Sequence, residues 1–263
     1  MKLLKVFALF AAALFLFTAC SKEEAQGDSA TPKAGKADKP ASAPVLVMAT
    51  NAEFPPYEFK DKGAIVGLDV DIMQAVCKKI NRTLKIEDMK FDSIIPAVVA
   101  GKAHAGVAGM TVKEERKQHV DFTDTYVRAF QVIIVCPGSP IKDADGLKGK
   151  KIGVQQGTTG DTLCQDYVKE GSKVERYASG AEAVLALING KIEAVVIDNE
   201  PAKNYQKKNA GKIIVLDKPL SDEEYAIAVK KGNKELLDQI NGALRELKAS
   251  GELDAIKAKY IAQ

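Results

Sequence analysis

An α/β layer fold is the architecture this sequence predicts, because short apolar runs alternate with segments of helical periodicity through most of its length. Two further observations support it. Continuous apolar runs such as VLVMAT (45–50) and EAVVID (193–198) read as strands buried on both faces. A unit of apolar helix, Gly-Lys turn and short strand also occurs twice, as FDSIIPAVVAGKAHAGVAG (91–109) and SGAEAVLALINGKIEAVVID (179–198).

The elements follow in chain order. After the strand at 45–50 comes a loop with Pro55 and Pro56, then Gly67 and a helix whose Val70, Met73, Cys77 and Ile80 share one face. A second short helix is predicted from about Asp92 to Ala100, with Gly101 at its stop. In the repeat, Gly101-Lys102 matches Gly190-Lys191, and Gly109 then corresponds to Asp198, both at the carboxyl end of a strand. Open α/β sheets bind ligands outside those ends, so two half-sites are expected if the repeat is more than common turn chemistry. The chain is expected to leave one lobe near Phe130 and return near Tyr225, which makes the first lobe discontinuous. Helical residues Leu236, Ile240, Leu244 and Leu247 on a shared face finish it.

The start of the chain points to export. Lys2 and Lys5 flank an apolar start, residues 6–17 are uninterruptedly apolar, and small residues follow, as in a secretory signal. The run falls short of the roughly 20 apolar residues of a spanning helix. Thr18, Ala19 and Cys20 resemble a bacterial lipobox, with Phe17 in place of the usual leucine, so Cys20 is the expected lipidation site and residues 1–19 the signal peptide. Residues 20–44 are rich in Lys, Ala, Pro, Ser and Gly without periodicity, and read as a disordered tether to the membrane. The net charge is +3 with basic residues dispersed, which argues against nucleic-acid binding. Cys77, Cys136 and Cys164 allow at most one disulfide, and their spacing fits no zinc pattern.

Four segments carry chemistry. In GMTVKEERK (109–117), Thr111 followed by Glu114 fits a capping box, so a helix is expected to start there, with Arg116 close to its amide end. A guanidinium grips a carboxylate through two parallel bonds, although composition alone reads this stretch as a solvated charged face. IGVQQGTTGD (152–161) is a strand entering a Gly/Thr-rich turn, where Thr158 and Thr159 offer hydroxyls and amides; it is neither a phosphate loop nor a dinucleotide fingerprint. Asp198 ends a strand, where a carboxylate meets an ammonium or caps a loop. Phe54, Tyr57, Phe59 and Phe91 wall a pocket or pack the core. His104 and His119 are the two histidines, and no nucleophile elbow or HExxH is present, so no catalytic residue, metal or cofactor is expected.

Together the blocks ATNAEFPPYEF (49–59), VGLDVDIMQAV (66–76), MKFDSIIPAVVAGK (89–102), AGMTVKEERKQHVDFTDTY (108–126), GLKGKKIGVQQGTTG (146–160), AVVIDNEPA (194–202) and PLSDEEYAIAVKKGN (219–233) resemble the polar amino-acid family of periplasmic solute-binding proteins that serve ABC importers. The resemblance covers nearly all of 45–263. It implies a type II periplasmic-binding-protein fold, with two α/β lobes joined by two crossover strands. Residues 45–129 and 226–263 form the first lobe, and 130–225 form the second together with the crossover strands. It also implies roles. Arg116 clasps a ligand α-carboxylate with the backbone of Thr111 and Thr159 and the Thr111 hydroxyl. Asp198 and the Gly109 carbonyl take the α-ammonium, Phe54 and Phe91 sandwich the side chain, and Asn51 and Gln155 line its far end. Some relatives carry Asp at the position of Asn51 or lysine at that of Gln155. Two neutral amides here imply a neutral polar side chain such as glutamine, unless Glu53 or Glu58 points into the cleft.

The implied protein is a monomeric receptor for a free L-amino acid. It is held outside the cytoplasm by its lipid anchor and delivers ligand to the membrane subunits of an ABC importer through hinge closure. The alternatives are a cyclohexadienyl or arogenate dehydratase-like enzyme on the same fold, disfavoured by the Arg116–Asp198 pair, and a sensor or adhesin derivative. No kinase or membrane segment follows Gln263, which disfavours the sensor.

Overall fold

The computed structural model describes residues 43–261. The expected signal segment, Cys20 and most of the tether lie outside the described residues.

The chain opens with β1 (Val45–Thr50), then β2 (Glu53–Phe54), β3 (Glu58–Asp61) and β4 (Ala64–Val66) in a small antiparallel sheet. Helix α1 (Leu68–Lys79) buries Val70, Met73 and Cys77 as their spacing predicts, together with Leu68, Ile72 and Val76. It is followed by β5 (Thr83–Asp88), α2 (Phe91–Val99), β6 (Ala105–Gly106), the single turn α3 (Glu114–Lys117), β7 (Val120–Phe122) and β8 (Val127–Ala129). The second half holds β9 (Gln131–Val135), β10 (Lys151–Gln155), α4 (Thr159–Val168), β11 (Lys173–Tyr177), α5 (Gly180–Ile188), β12 (Ala194–Asp198), α6 (Asn199–Lys208), β13 (Ile214–Val215) and β14 (Glu223–Tyr225). Strand β15 (Ala228–Lys230), α7 (Lys234–Ala249) and α8 (Glu252–Ala258) end it.

These elements make two lobes. One sheet has the order β5-β1-β6-β15-β7 and the other β11-β10-β12-β9-β13. In each, three parallel strands continue into one antiparallel strand that has just crossed from the other lobe: β15 beside β6, β9 beside β12. The crossings are β8 and β14, which pair antiparallel to each other. The repeat seen in the sequence is therefore a repeat of topology. Units α2–β6 and α5–β12 occupy matching places, and Gly101 and Gly190 end their helices at φ 72° and 68°.

Burial follows the apolar pattern. All five residues of β9 and of β12 are buried, as in strands covered on both faces. Leu236, Ile240, Leu244 and Leu247 of α7 form the buried face expected of them. Cys77, Cys136 and Cys164 are free, the first and last buried. His104 is exposed, and its Nδ1 accepts the Val47 N–H at 2.9 Å.

One local expectation fails. No capping box forms at Thr111: α3 begins after Lys113, lacks a side-chain cap and spans four residues. The Thr111 hydroxyl instead donates to Glu223 Oε2 at 2.6 Å, while Thr111 bridges to Tyr225. A buried carboxylate accepting from a hydroxyl makes a charge-assisted bond, stronger than a cap to one backbone amide.

Candidate functional site

The carboxyl ends of both sheets face each other, as the strand-end rule requires. Between them a narrow cleft is lined by Asn51, Phe54, Phe91, Gly109, Gln155, Thr158, Thr159 and Asp198, eight of the ten positions singled out in the sequence, and by Glu58 and Ala108. The other two, Thr111 and Arg116, stand at its edge. Arg116 lies with its guanidinium 5.2 Å from the centre of the Phe91 ring.

The first lobe supplies the cation and the aromatic walls. Arg116 Nη1 donates to the Thr111 carbonyl at 2.9 Å and Nη2 to the Gly157 carbonyl of the other lobe at 3.1 Å. Burial lowers its pKa, while the carboxylates of Glu223 and Asp198 push it back up. Phe54 stacks on Tyr57 at 5.7 Å and Phe91 lies against Arg116, so the two rings line one space without stacking on each other. Gly109 has φ +52°, and a Cβ there would meet the Phe54 ring at 2.8 Å, so glycine alone lets the backbone reach the site at this point. Its N–H donates to Asp69 Oδ2 at 2.8 Å, and Asp69 Oδ1 accepts from the Tyr126 hydroxyl. Burial pushes Asp69 up to about 6 against both bonds.

The second lobe supplies hydroxyls, an amide and an acid. Thr158 caps α4 by accepting from the Asp161 N–H, and Thr159 follows as the first helical residue. Gln155, the last residue of β10, donates to Asn51 Oδ1 across the cleft at 2.9 Å. Asp198, the last residue of β12, accepts from the Tyr225 hydroxyl at 2.5 Å. Burial, and then the charge of Glu223, raise it to about 7.

Further bonds hold the lobes together across the cleft. Thr159 donates to the Thr111 hydroxyl at 3.1 Å, Gln156 to Asp92 at 2.7 Å and Tyr205 to the Glu53 carbonyl at 3.1 Å. Thr111 has one hydroxyl proton, and it goes to Glu223. That hydroxyl is therefore an acceptor toward the cleft rather than the donor that the resemblance implies. Its bridge to β14 uses the Val112 and Ala226 amides, which leaves the Thr111 N–H on the opposite edge.

Glu58 is fully buried, and its carboxyl, when protonated, can donate to the neighbouring Asp69; among the described atoms nothing donates a hydrogen bond to its oxygens. Burial, then the neighbouring Asp69, push it well above the ordinary carboxylate range. Glu53 stays exposed. Glu58, Glu223 and Tyr225 were not among the residues singled out for roles. Glu58 sits in the quoted FPPYEF segment four residues after the Phe54 wall, and Glu223 lies two residues before Tyr225, where the chain is expected to return to the first lobe. Among the described residues no group of His, Cys, Asp or Glu is placed to hold a metal ion. No described helix is long and apolar enough to cross a membrane.

The site thus offers one guanidinium, a carboxylate, paired amides and apolar walls to a small molecule that carries both charges. A model of the bacterial extracellular solute-binding proteins, family 3, matches residues 46–263. The chain is 36% identical over 231 residues to a probable histidine-binding protein of Neisseria gonorrhoeae, covering 85% of this chain and 86% of that one. Among solved structures it resembles an ancestral arginine-binding protein bound to arginine, at TM-score 0.81 and 42% identity, over 84% of this chain and 100% of that one. An ancestral arginine-binding protein bound to glutamine matches at TM-score 0.80 and 42% identity, over 83% of this chain and 98% of that one.

Proposed function

We propose a function from the premise that the chain belongs to the bacterial extracellular solute-binding proteins, family 3, a family of binding proteins rather than enzymes. It is an extracytoplasmic amino-acid receptor that closes its lobes on one free amino acid and presents it to the membrane subunits of an ABC importer. The observation that carries this reading is the single cleft into which both lobes place opposite charge, Arg116 at its edge and Asp198 in its wall. The guanidinium meets the α-carboxylate together with the amides of Thr111 and Thr159. Asp198 and the Gly109 carbonyl meet the α-ammonium. The β8–β14 pair is the hinge, and residues 45–129 with 226–263 move against 130–225. Cys20 carries the lipid and residues 21–44 tether a monomer to the membrane.

The side chain is neutral and polar, as in glutamine. Gln155 donates to Asn51 Oδ1 while Asn51 donates to the Met89 carbonyl, which leaves the Gln155 oxygen as an acceptor, and Glu58, held toward its protonated form, adds a third neutral group. A second reading, a cationic side chain such as arginine, is favoured by Glu58: a guanidinium beside its buried carboxyl would draw it into the ionised form. Relatives bound to arginine and to glutamine support both. Denaturing and refolding the protein to strip bound ligand, then titrating each amino acid calorimetrically, tests the function. A one-to-one complex with glutamine or arginine supports it; failure of all amino acids to bind sinks it. Glutamine binding more tightly than arginine selects the first reading, and the reverse order selects the second.

A further inference from the structure

Below the main-chain end of the cleft lies an acid that the proposed contacts leave unused. Glu223 begins β14, where the chain crosses between lobes, and is 5% exposed. Its Oε2 accepts from the Thr111 hydroxyl of the first lobe at 2.6 Å and lies 3.5 Å from Gln131 Nε2 of the second. Oε1 accepts from Ser221 at 2.8 Å. Thr111 in turn carries two contacts beside the guanidinium: its hydroxyl accepts from Thr159 of the second lobe, and its carbonyl accepts from Arg116 of its own lobe. The charged and titratable groups facing this acid are Arg116 from the 109–117 segment, Asp198 from β12 and Tyr225 from its own strand. Tyr57 packs edge-on to Tyr225 at 5.1 Å.

We propose that Glu223 is a positioning residue for ligand capture: from the crossover strand its carboxylate fixes the Thr111 hydroxyl, holds the Thr159–Thr111–Arg116 arrangement and sets the charge balance between Arg116 and Asp198. The proposal rests on the amino-acid reading above. Two consequences follow from the geometry. The Glu223 carboxylate anchors the Thr111 hydroxyl, and Thr111 in turn holds Arg116 through its carbonyl, so removing that carboxylate frees Thr111 and weakens the grip on a carboxylate by loosening the guanidinium's placement. The same charge opposes ionisation of Asp198, so removing it lets Asp198 stay anionic in more acidic solution. One substitution therefore moves the two ends in opposite directions, and pH separates them.

The test is calorimetric titration of L-glutamine and L-arginine into the refolded protein and its Glu223→Gln variant from pH 5 to 8. At pH 8 the variant is expected to bind about tenfold more weakly, the difference between a charge-assisted and a neutral hydrogen bond. That deficit is expected to shrink as pH falls below about 7, because Asp198 in the variant resists protonation. Glu223→Asp keeps the charge and is expected to reproduce the pH profile of the unaltered protein at lower affinity. A Glu223→Gln deficit that is the same at every pH, or no deficit, overturns the proposal. If Glu223→Gln does not fold, a Glu223→Asp profile displaced from that of the unaltered protein overturns it, and a superimposable one supports it. If neither L-glutamine nor L-arginine binds the unaltered protein, the proposal falls with the reading it rests on.

Discussion

The two lobes share a strand order and differ in what they place at its end. In the first, the chain beyond β6 reaches Gly109, where the backbone is exposed to the cleft at φ +52° with its N–H tied to Asp69. In the second, the matching strand β12 ends at Asp198, a buried side chain tied to Tyr225 of the crossover strand. The same scaffold thus presents a bare backbone on one side and a carboxylate on the other. Aromatic walls and the guanidinium come from the first lobe, hydroxyls and the helix start from the second. Repeating a topology fixes where ligand-facing positions lie, and the residue at each position then decides the chemistry.

The harshest way to break this division is to remove the first lobe's cation. Arg116→Ala is expected to weaken amino-acid binding by at least about 100-fold, or about 3 kcal/mol, because it leaves a buried carboxylate unpaired. Far-ultraviolet circular dichroism should stay unchanged, and unchanged affinity would refute the clasp. Glu58→Gln sharpens the side-chain end. Arginine affinity should fall roughly tenfold while glutamine affinity changes little, since a cation alone gains from an ionised partner. Equal losses for both ligands would remove Glu58 from selectivity. Gly109→Ala asks whether the bare backbone matters. A Cβ against the Phe54 ring at positive φ should destabilise the protein by about 1–2 kcal/mol, read as a lower denaturant midpoint. The pH dependence is a separate test. Asp69 and Asp198 are raised to about 6 and about 7, so the folded state binds more protons than the unfolded state above pH 4. Their contribution to stability is full below the unfolded carboxylate pKa of about 4, and is lost as pH rises through their folded values. Urea midpoints of the ligand-free protein should show this decline between pH 4 and 7. Ligand affinity should move the other way, rising over the upper part of that span as Asp198 becomes available to an ammonium.

Much of the scaffold was legible because it depends on local signals. Apolar periodicity marked α1 and α7, uninterrupted apolar runs marked β1 and β12, and the twice-used Gly-Lys turn marked the paired units. Of the ten site positions, some read from local pattern and others, Asn51 and Gln155 among them, implied only by the family resemblance, eight line one cleft. What stayed hidden depends on distant partners. The capping box at Thr111 was a sound local inference, overridden by a carboxylate 112 residues away in sequence. The loss of donor capacity at that hydroxyl follows from the same bond. Sequence left open whether Glu53 or Glu58 enters the cleft; Glu58 does, and its burial against Asp69 depends on partners the local pattern does not reveal. Phe54 and Phe91 share a loop-borne aromatic signal, yet one stacks on Tyr57 and the other under Arg116, a choice set by tertiary packing.

The central claim is that the cleft captures a free amino acid through both of its main-chain charges. The most direct measurement is competitive calorimetry on the refolded protein with its best amino-acid ligand, the N-acetyl derivative of that ligand and its α-carboxamide. Capture by Arg116 and Asp198 predicts a one-to-one complex with the unmodified amino acid. Each blocked form should be weaker by at least about 100-fold, since each leaves one buried charge unpaired. Comparable affinity for either blocked form would contradict the assignment of that end of the cleft, and comparable affinity for both would contradict the claim itself.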